Sequence, residues 1–504
     1  MKKGVITVYL AITFSLILSL FLSAFEAARA GAYRVAVECA LRSAILSAFA
    51  EYNKELLNRY DLMFIDLTYQ TDRYSNEALA ERVENRMEEN LNPFDGEGYD
   101  PGADLFGRSE VIAEIKEIRK ATDSYGAVMR NQAVEYMKDL VSADFIQDLQ
   151  SLKEIQTMYS LTEEKYESEN ETVILSGESC EEDSSLILSD DEKKEVSVLS
   201  NPDVELYFLQ PLDLLVMKGD VWDVSGKTFN PLDVPSARIA AVSNGDATGL
   251  LTDPVSELLF TEYCMQKSGN YLNPKENTYL RYETEYLIAG TPNDSANLSA
   301  VIHLIFGLRT LANAVSLKQD FEKMAEIEAT SLVLSVLTRS DPKTIANTLV
   351  FLWAAAEATY DTEDLLKGKK VELIKEAKTF HTSLAGGLSG LLGAGASFSN
   401  MALVDSVDFS SESTSIGEYS SGGKTMGSNI RLSYEDYLRL FLMSQPEVLL
   451  GMRMMDVMEL NIRQTKGNDW FRMDQCVDLA EFYASVQSSF GVNYTIRRRY
   501  GYDF

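Results

Sequence analysis

From Gly4 to Asn58 the chain reads as one unbroken helix, and its first part, Val5–Phe25, holds 21 residues without a charge. At about 1.5 Å per residue that run spans about 32 Å, close to the hydrocarbon thickness of a bilayer. Its polar residues are only Thr, Ser and Tyr, whose hydroxyls bond to a helical backbone or a neighbouring helix. Past the run, Val37, Leu41, Ile45, Phe49, Tyr52 and Leu56 recur at spacings of three and four. That apolar face must pack on something, most simply the segments that follow. Arg34, Glu38 and Arg42 form a charged row at i, i+4 beside it, which supports the helix locally.

Two stripes of small residues follow the helix with a period of four. The first is Thr7, Ala11, Ser15, Ser19, Ser23, Ala27 and Gly31; the second is Ala24, Ala28, Ala32, Ala36, Ala40, Ala44 and Ala48. Small residues at this spacing let helix backbones approach closely in lipid. Because four exceeds 3.6, the stripes favour a right-handed wrap. They are candidates for association with a copy, a partner helix or the chain's own globular part, although Ala-rich helices carry such residues by composition alone. Lys2 and Lys3 place the N-terminus in the cytoplasm and the bulk of the chain outside, with Arg29 and Arg34 opposing that assignment. Three fates remain open for the segment. It is an uncleaved signal anchor, a secretory signal cut after Ala28-Arg29-Ala30, or a leader cut between Gly4 and Val5 with the apolar helix retained.

With 504 residues, 45% of them hydrophobic, the chain is large enough for two or three domains. Its net charge of −31 argues against nucleic acid as a partner, because phosphate contacts need clustered Lys and Arg. The one dense basic run is Arg497-Arg498-Arg499. Cys39, Cys180, Cys264 and Cys476 are far apart and form no metal-ligand spacing; one bridge or free buried thiols both fit.

An anchor and stalk helix is expected over residues 1–60. Residues 61–160 read as helix-rich with one strand, from Asp61 to Tyr69. Asn76–Asn90 has the pattern of a charged amphipathic helix, and Ser109–Ser160 that of further helices through Val111, Ile115, Ile118, Val134 and Met137. Residues 161–203 form an acidic linker or insertion; from Thr162 to Glu195 there are 13 Asp or Glu against three Lys. Residues 204–504 are expected to be an α+β ectodomain. Strands are predicted at Val204–Met217 and Thr278–Ala289, and a final pair at Val477–Phe490 and Asn493–Tyr500 turning at Gly491. Helices are predicted at Ser295–Ser316, Lys318–Thr338, Pro342–Tyr360, Ser433–Met443 and Pro446–Thr465, with a Gly/Ser-rich stretch at Gly386–Ser428. The dispersed strands imply an α+β fold in which a long N-terminal helix packs on a mixed helical and antiparallel-sheet ectodomain.

No constellation for catalysis stands out. His303 sits in an apolar helix, and His381 has no matching Ser or Cys motif. Ser421-Gly-Gly-Lys-Thr425 ends like a phosphate loop, but Gly417 is one residue too far upstream. Gly386–Gly395 lacks the strand that precedes a dinucleotide turn, and the loop Asn92–Gly102 lacks the order of a calcium loop. Neither cofactor nor metal is expected.

The motif Gly4-x-Ile6-Thr-Val8-x-x-Ala11, the apolar run, Glu26-Ala-Ala-Arg29 and an Ala-rich helix ending near Tyr60 together resemble the N-termini of TadE/TadG-like pseudopilins. The body resembles a family of unknown function, made up of membrane-anchored exported proteins of Gram-positive type that accompany Tad (Flp) pilus genes. The segments carrying this likeness are Tyr282–Gly290 with Asn297 and Leu298, Trp353–Ala358, Tyr434–Leu442 and Arg453–Asp456. Prepilins place Glu at the fifth residue after the cut; here that residue is Tyr9. The resemblance therefore implies an accessory, minor pseudopilin-like or assembly component of a Tad-like pilus or secretion apparatus rather than a filament subunit; the family has no established activity to transfer, and with no catalytic cluster in the residues an enzyme is not expected. Its partners are the membrane and, through the N-terminal helix, other proteins of that apparatus. The alternative is a membrane-tethered binding or sensing protein unrelated to pili; an exported hydrolase has no residues behind it.

Overall fold

The computed structural model describes residues 2–71, 75–93, 106–157, 224–242, 253–338, 341–385 and 430–502. The expected acidic insertion, the strand Val204–Met217, the Gly/Ser-rich stretch from Gly386 to Ser428 with its phosphate-loop-like end, and Cys180 all lie outside these residues. The fold is α+β, and the chain forms two compact units. The first comprises Met1–Asp139, Leu232–Leu251 and Met458–Phe504; the second comprises Leu140–Pro231 and Thr252–Val457.

The first unit is organised by helix α1, Lys2–Phe49. It ends earlier than expected: the chain breaks after Phe49 and restarts as α2, Lys54–Tyr60, where the Asn53 side chain caps the new helix by accepting from Leu56 N–H. A two-residue strand β1 (Ile65–Asp66) follows, then α3 (Asn76–Leu91) as the periodicity predicts. Ser109–Lys120 is a strand, β2, where a helix was expected; helix α4 begins only at Asp123 and ends at Leu140. In β2 the buried positions alternate, Ser109, Val111 and Ala113, with the exposed Glu110 and Ile112 between them. A short helix α5 (Pro235–Val242) precedes the closing hairpin of β5 (Cys476–Ser488) and β6 (Asn493–Gly501), whose Gly491 adopts the left-handed φ of +78° that the turn requires.

The sheet is antiparallel throughout. Strand β5 is central, with β2 on one side and β6 and β1 on the other. One face of β5, through Ala480, Phe482, Ala484 and Val486, meets Val37, Leu41, Ile45 and Phe49 of α1 in a common core that also holds Leu79, Val83, Met87 and Leu91 of α3. The Phe49 ring meets Phe482, Tyr500 and Tyr502 edge-on at centroid distances of 6.4, 4.9 and 5.3 Å. Glu51, just past α1, ties it to α3 through Arg82 and Arg86 at 2.6 and 2.8 Å.

Helix α3 also closes one edge of the sheet. The outward N–H groups of Ala113, Val111 and Ser109 donate to Glu84 Oε2, Glu88 Oε1 and Asn92 Oδ1 at 2.9, 3.2 and 2.8 Å. The match is geometric: four residues of helix rise about 6 Å and two residues of strand about 6.7 Å, so the two ladders stay in step. This leaves β2 no free edge there for a foreign strand.

The second unit is mainly helical. Its elements are a helix at 143–157, α6 (Pro254–Lys267), α7 (Glu283–Ala289), α8 (Asp294–Gln319), α9 (Phe321–Thr338), α10 (Pro342–Leu366), the strand pair β3 (Val371–Glu372) and β4 (Arg431–Leu432), α11 (Tyr434–Ser444) and the start of α12 (Glu447–Ile462). Tyr282–Ala289 was expected to be part of a strand. Instead α7 buries Glu283 through Ile288 on all sides and ends at Gly290. Gly290 is required twice over: φ is +73°, and a Cβ there would strike the Arg453 guanidinium. Helices α8, α9 and α10 share a core of Leu317, Ile327, Leu349, Val350 and Trp353.

The α3 ladder makes a separable prediction. Glu84→Ala with Glu88→Ala should speed amide exchange at Ala113 and Val111 and cost about 1 kcal/mol per lost bond. The Gln variants retain an acceptor and should leave both amides protected. Equal exchange in the Ala and Gln proteins would show that the ladder does not protect this edge.

Candidate functional site

Helix α1 divides sharply into two parts. Residues from Ile6 to Ala28 are exposed apart from Thr13, and they include Tyr9, Phe14, Leu20 and Phe21, each at least 64% exposed. Burial begins at Tyr33, whose hydroxyl meets Ser109 Oγ at 3.0 Å. The transition is marked by Arg29. Its guanidinium lies 3.3 Å from the centroid of the Phe490 ring, at the tip of the β5–β6 hairpin, and pairs with Glu26 at 3.7 Å. Further along, the Tyr494 hydroxyl donates to Glu38, and Arg34 lies over the Tyr494 ring.

This division separates the small-residue stripes. Thr7, Ala11, Ser15, Ser19, Ser23, Ala27 and Gly31 are all exposed, and a Cβ added at Gly31 would meet nothing. Ala24, Ala28 and Ala32 are exposed too, Ala36 is half-buried, and Ala40, Ala44 and Ala48 are buried in the core shared with α3. The lower end of the second stripe is thus occupied within the chain. The backbone of Gly4 and Val5 is helical, and their side chains lie outside the described residues.

Buried polar clusters in the second unit went unnoticed in the sequence. At α7, Gly269 N–H donates to Glu283 Oε2 and Tyr271 N–H to Glu285 Oε1, both at 2.8 Å, so two buried carboxylates hold the loop after α6. Tyr434 of α11 donates its hydroxyl to Glu285 Oε1 at 2.7 Å, and Tyr286 donates to Asp456 at 2.7 Å. Arg453 donates to the carbonyls of Leu287 and Ile288, satisfying the C-terminal end of α7. Among the described residues nothing forms a hydrogen bond with the buried Glu285 Oε2. Burial pushes the Glu285 carboxyl up to about 7, against the opposing bonds from Tyr434 and Tyr271.

A second cluster joins α8 and α10. Arg309 donates to Asp361 at 3.0 and 2.8 Å and to the carbonyls of Glu372 and Leu373. Lys375 bridges Asp361 and Glu357. Glu357 in turn accepts from the backbone N–H groups of His381 and Thr382 and contacts His381 Nδ1 at 3.0 Å. Burial acts to raise both carboxyls, but the cations and donors around them prevail and hold Glu357 and Asp361 below the usual carboxylate range. The His381 ring is exposed and stacks on Tyr360. These bonds fix the 371–382 segment onto the helices, and among the described residues no Ser or Cys nucleophile is bonded to the imidazole. His303 lies half-buried on α8. Among the described residues no group of His, Cys, Asp and Glu is disposed to hold a metal. Cys264 and Cys476 are buried free thiols, and Cys39 is an exposed one.

The contacts around α7 fall on segments singled out in the sequence, Tyr282–Gly290, Tyr434–Leu442 and Arg453–Asp456, and Glu357 falls in Trp353–Ala358; Arg309, Asp361 and Lys375 lie outside them. Residues 210–488, just over half of the chain, match the model of a family of unknown function, DUF5702. The chain belongs to that family. No curated protein and no solved structure matches it. Helix α1 carries an N-terminal segment long and apolar enough to cross a membrane or to act as a signal sequence. Helix α8 passes the same test of length and composition, but more than half of its apolar window is buried, as in the core helix of a soluble domain.

Glu285 gives a pH test. Its carboxyl titrates near 7 in the folded chain and near 4.5 when unfolded, so its contribution is fully favourable below about pH 4.5 and is lost as pH rises through 7. Glu285→Gln keeps the acceptor for Tyr434 but cannot ionise. Its stability advantage over the wild type should grow between pH 5 and 8, by roughly 2–3 kcal/mol in chemical denaturation. A difference that stays flat with pH would show that Glu285 is ionised in the fold.

Proposed function

We propose that the protein is a single-pass, outward-facing accessory component of a Tad-like pilus or secretion apparatus, acting by binding and not by catalysis. The observation that carries the reading is the two-part α1: a bare apolar half continues without a break into a half embedded in an antiparallel sheet. A bare apolar helix of this length is costly in water and favourable in a bilayer. The exposed small residues from Thr7 to Ala28 then face lipid or another helix, where close backbone approach is rewarded. Arg29, Phe490 and Tyr494 cluster just past the apolar run, where cationic and aromatic side chains suit the membrane–water interface. Lys2 and Lys3 favour an N-terminus in the cytoplasm. The likeness of the N-terminus to TadE/TadG-like pseudopilins supplies the pilus context, and Tyr9 in place of Glu favours an accessory role over that of a filament subunit.

The N-terminal mass of the mature protein, taken from its own membrane, tests the anchor. A start at Val5 supports pilin-type processing and a start at Met1 a plain anchor; a start at Gly31 would make the protein secreted and overturn the reading. For the stripes, Ser19→Leu with Ala28→Leu should weaken co-purification with pilus components while leaving membrane association intact. Unchanged co-purification would count against the exposed stripes as the contact.

A further inference from the structure

We propose that the outer edge of β6 receives an extended, acidic segment of a partner polypeptide as an additional strand. The register fixes which groups face outward. Ser488 N–H donates to Val492 O, and Tyr502 N–H donates to Asp478 O. The β5–β6 register runs unbroken between these points, from Gln487 opposite Asn493 to Leu479 opposite Gly501. In an antiparallel pair the residues alternate between bonding inward and outward, so Tyr494, Ile496, Arg498 and Tyr500 bond to β5. Thr495, Arg497 and Arg499 therefore turn their N–H and C=O groups away from the sheet. No hydrogen bond within the described residues reaches those outward groups. The two long edges of the sheet are thus unequal: α3 side chains close β2, and β6 is left open.

Charge selects the occupant. Arg497, Arg498 and Arg499 are consecutive and exposed on a chain of net charge −31. Arg497 pairs with Glu481 and Arg499 reaches Glu117 at 3.8 Å, yet their side chains remain 62% and 54% exposed. No ion pair holds Arg498 among the described residues. Self-pairing of two β6 edges would bring these arginines together, and like charges across a strand pair are unfavourable. A strand with acids at alternate positions meets Arg497 and Arg499 on one face while its backbone completes the ladder, the mode known as β-augmentation.

The test uses the full chain in detergent micelles and a fluorescent nine-residue peptide alternating Glu with Val and Thr, with a Lys-for-Glu peptide as control. Saturable binding of the acidic peptide, weakened by salt, is expected, with slowed amide exchange at Thr495, Arg497 and Arg499. Arg497→Pro removes an outward N–H together with the Arg497 guanidinium and its pair with Glu481, and spares the backbone bonds to β5, so the hairpin should persist while peptide affinity falls at least about tenfold. If that variant misfolds, Arg497→Glu with Arg499→Glu serves instead and should transfer preference to the Lys peptide. The proposal fails if the acidic peptide does not bind, if both peptides bind wild type equally, or if a folded Arg497→Pro protein binds as before. It also fails if the chain forms a dimer that Arg497→Pro abolishes, since a second copy would then be the occupant.

Discussion

Everything described in the first unit depends on the contact between the lower half of α1 and one face of the β2–β5–β6 sheet. A helix as long as α1 has no reason to remain straight and single on its own once it leaves an apolar environment; tertiary packing of one face sustains it. Val37, Leu41, Ile45 and Phe49 supply that face and are at most 2% exposed. Because the same contact recruits α3 through Ala40, Ala44 and Ala48, it also positions the Glu84, Glu88 and Asn92 ladder that covers β2. One packing event therefore fixes the lower half of α1, closes one sheet edge and leaves the other open.

The second unit is held differently. Buried charges there are paired and hydrogen-bonded almost completely, with Arg309, Lys375, Asp361 and Glu357 forming one connected set. Removing one partner from such a set strands the others, at a cost of several kcal/mol, whereas the intact set contributes mainly geometry. Glu285 is the exception, a carboxyl with one satisfied oxygen and one bare one among the described residues. These residues explain why segments such as Tyr282–Gly290 and Arg453–Asp456 are distinctive in the sequence without pointing to a reaction: they are the groups that lock loops to helices.

Much of this was legible in the residues. The spacing Val37, Leu41, Ile45, Phe49 marked a packing face, and the runs around Gly491 marked the closing hairpin. Two segments misled for a physical reason. In Ser109–Lys120 the positions Val111 and Ile115 fit a helical period because a step of four belongs to both periods, and the step of three to Ile118 spans the irregularity in the strand between Ile115 and Glu117; Ala113 was the sign of alternation. In Tyr282–Ala289 the apparent alternation of aromatic and acidic residues suggested a strand. Here the acids are themselves buried as ligands of backbone N–H groups, and Gly290 in the C-cap position was the better signal. The clusters around Arg309 and α7 join residues up to 170 positions apart, and no local pattern announces them.

The central claim is that α1 is one helix with a lipid-facing half and a protein-facing half, changing character between Phe25 and Tyr33. Spin labels placed singly along positions 8–49 in the protein reconstituted in bilayers test it most directly, read by their accessibility to oxygen and to a water-soluble relaxant. The account predicts oxygen-accessible, water-protected labels through Phe25. Beyond Tyr33 it predicts a helical period of about 3.6, with accessibility lowest at 37, 41, 45 and 49. Water-accessible labels between 10 and 22, or a buried periodicity that begins before Phe25, would contradict it.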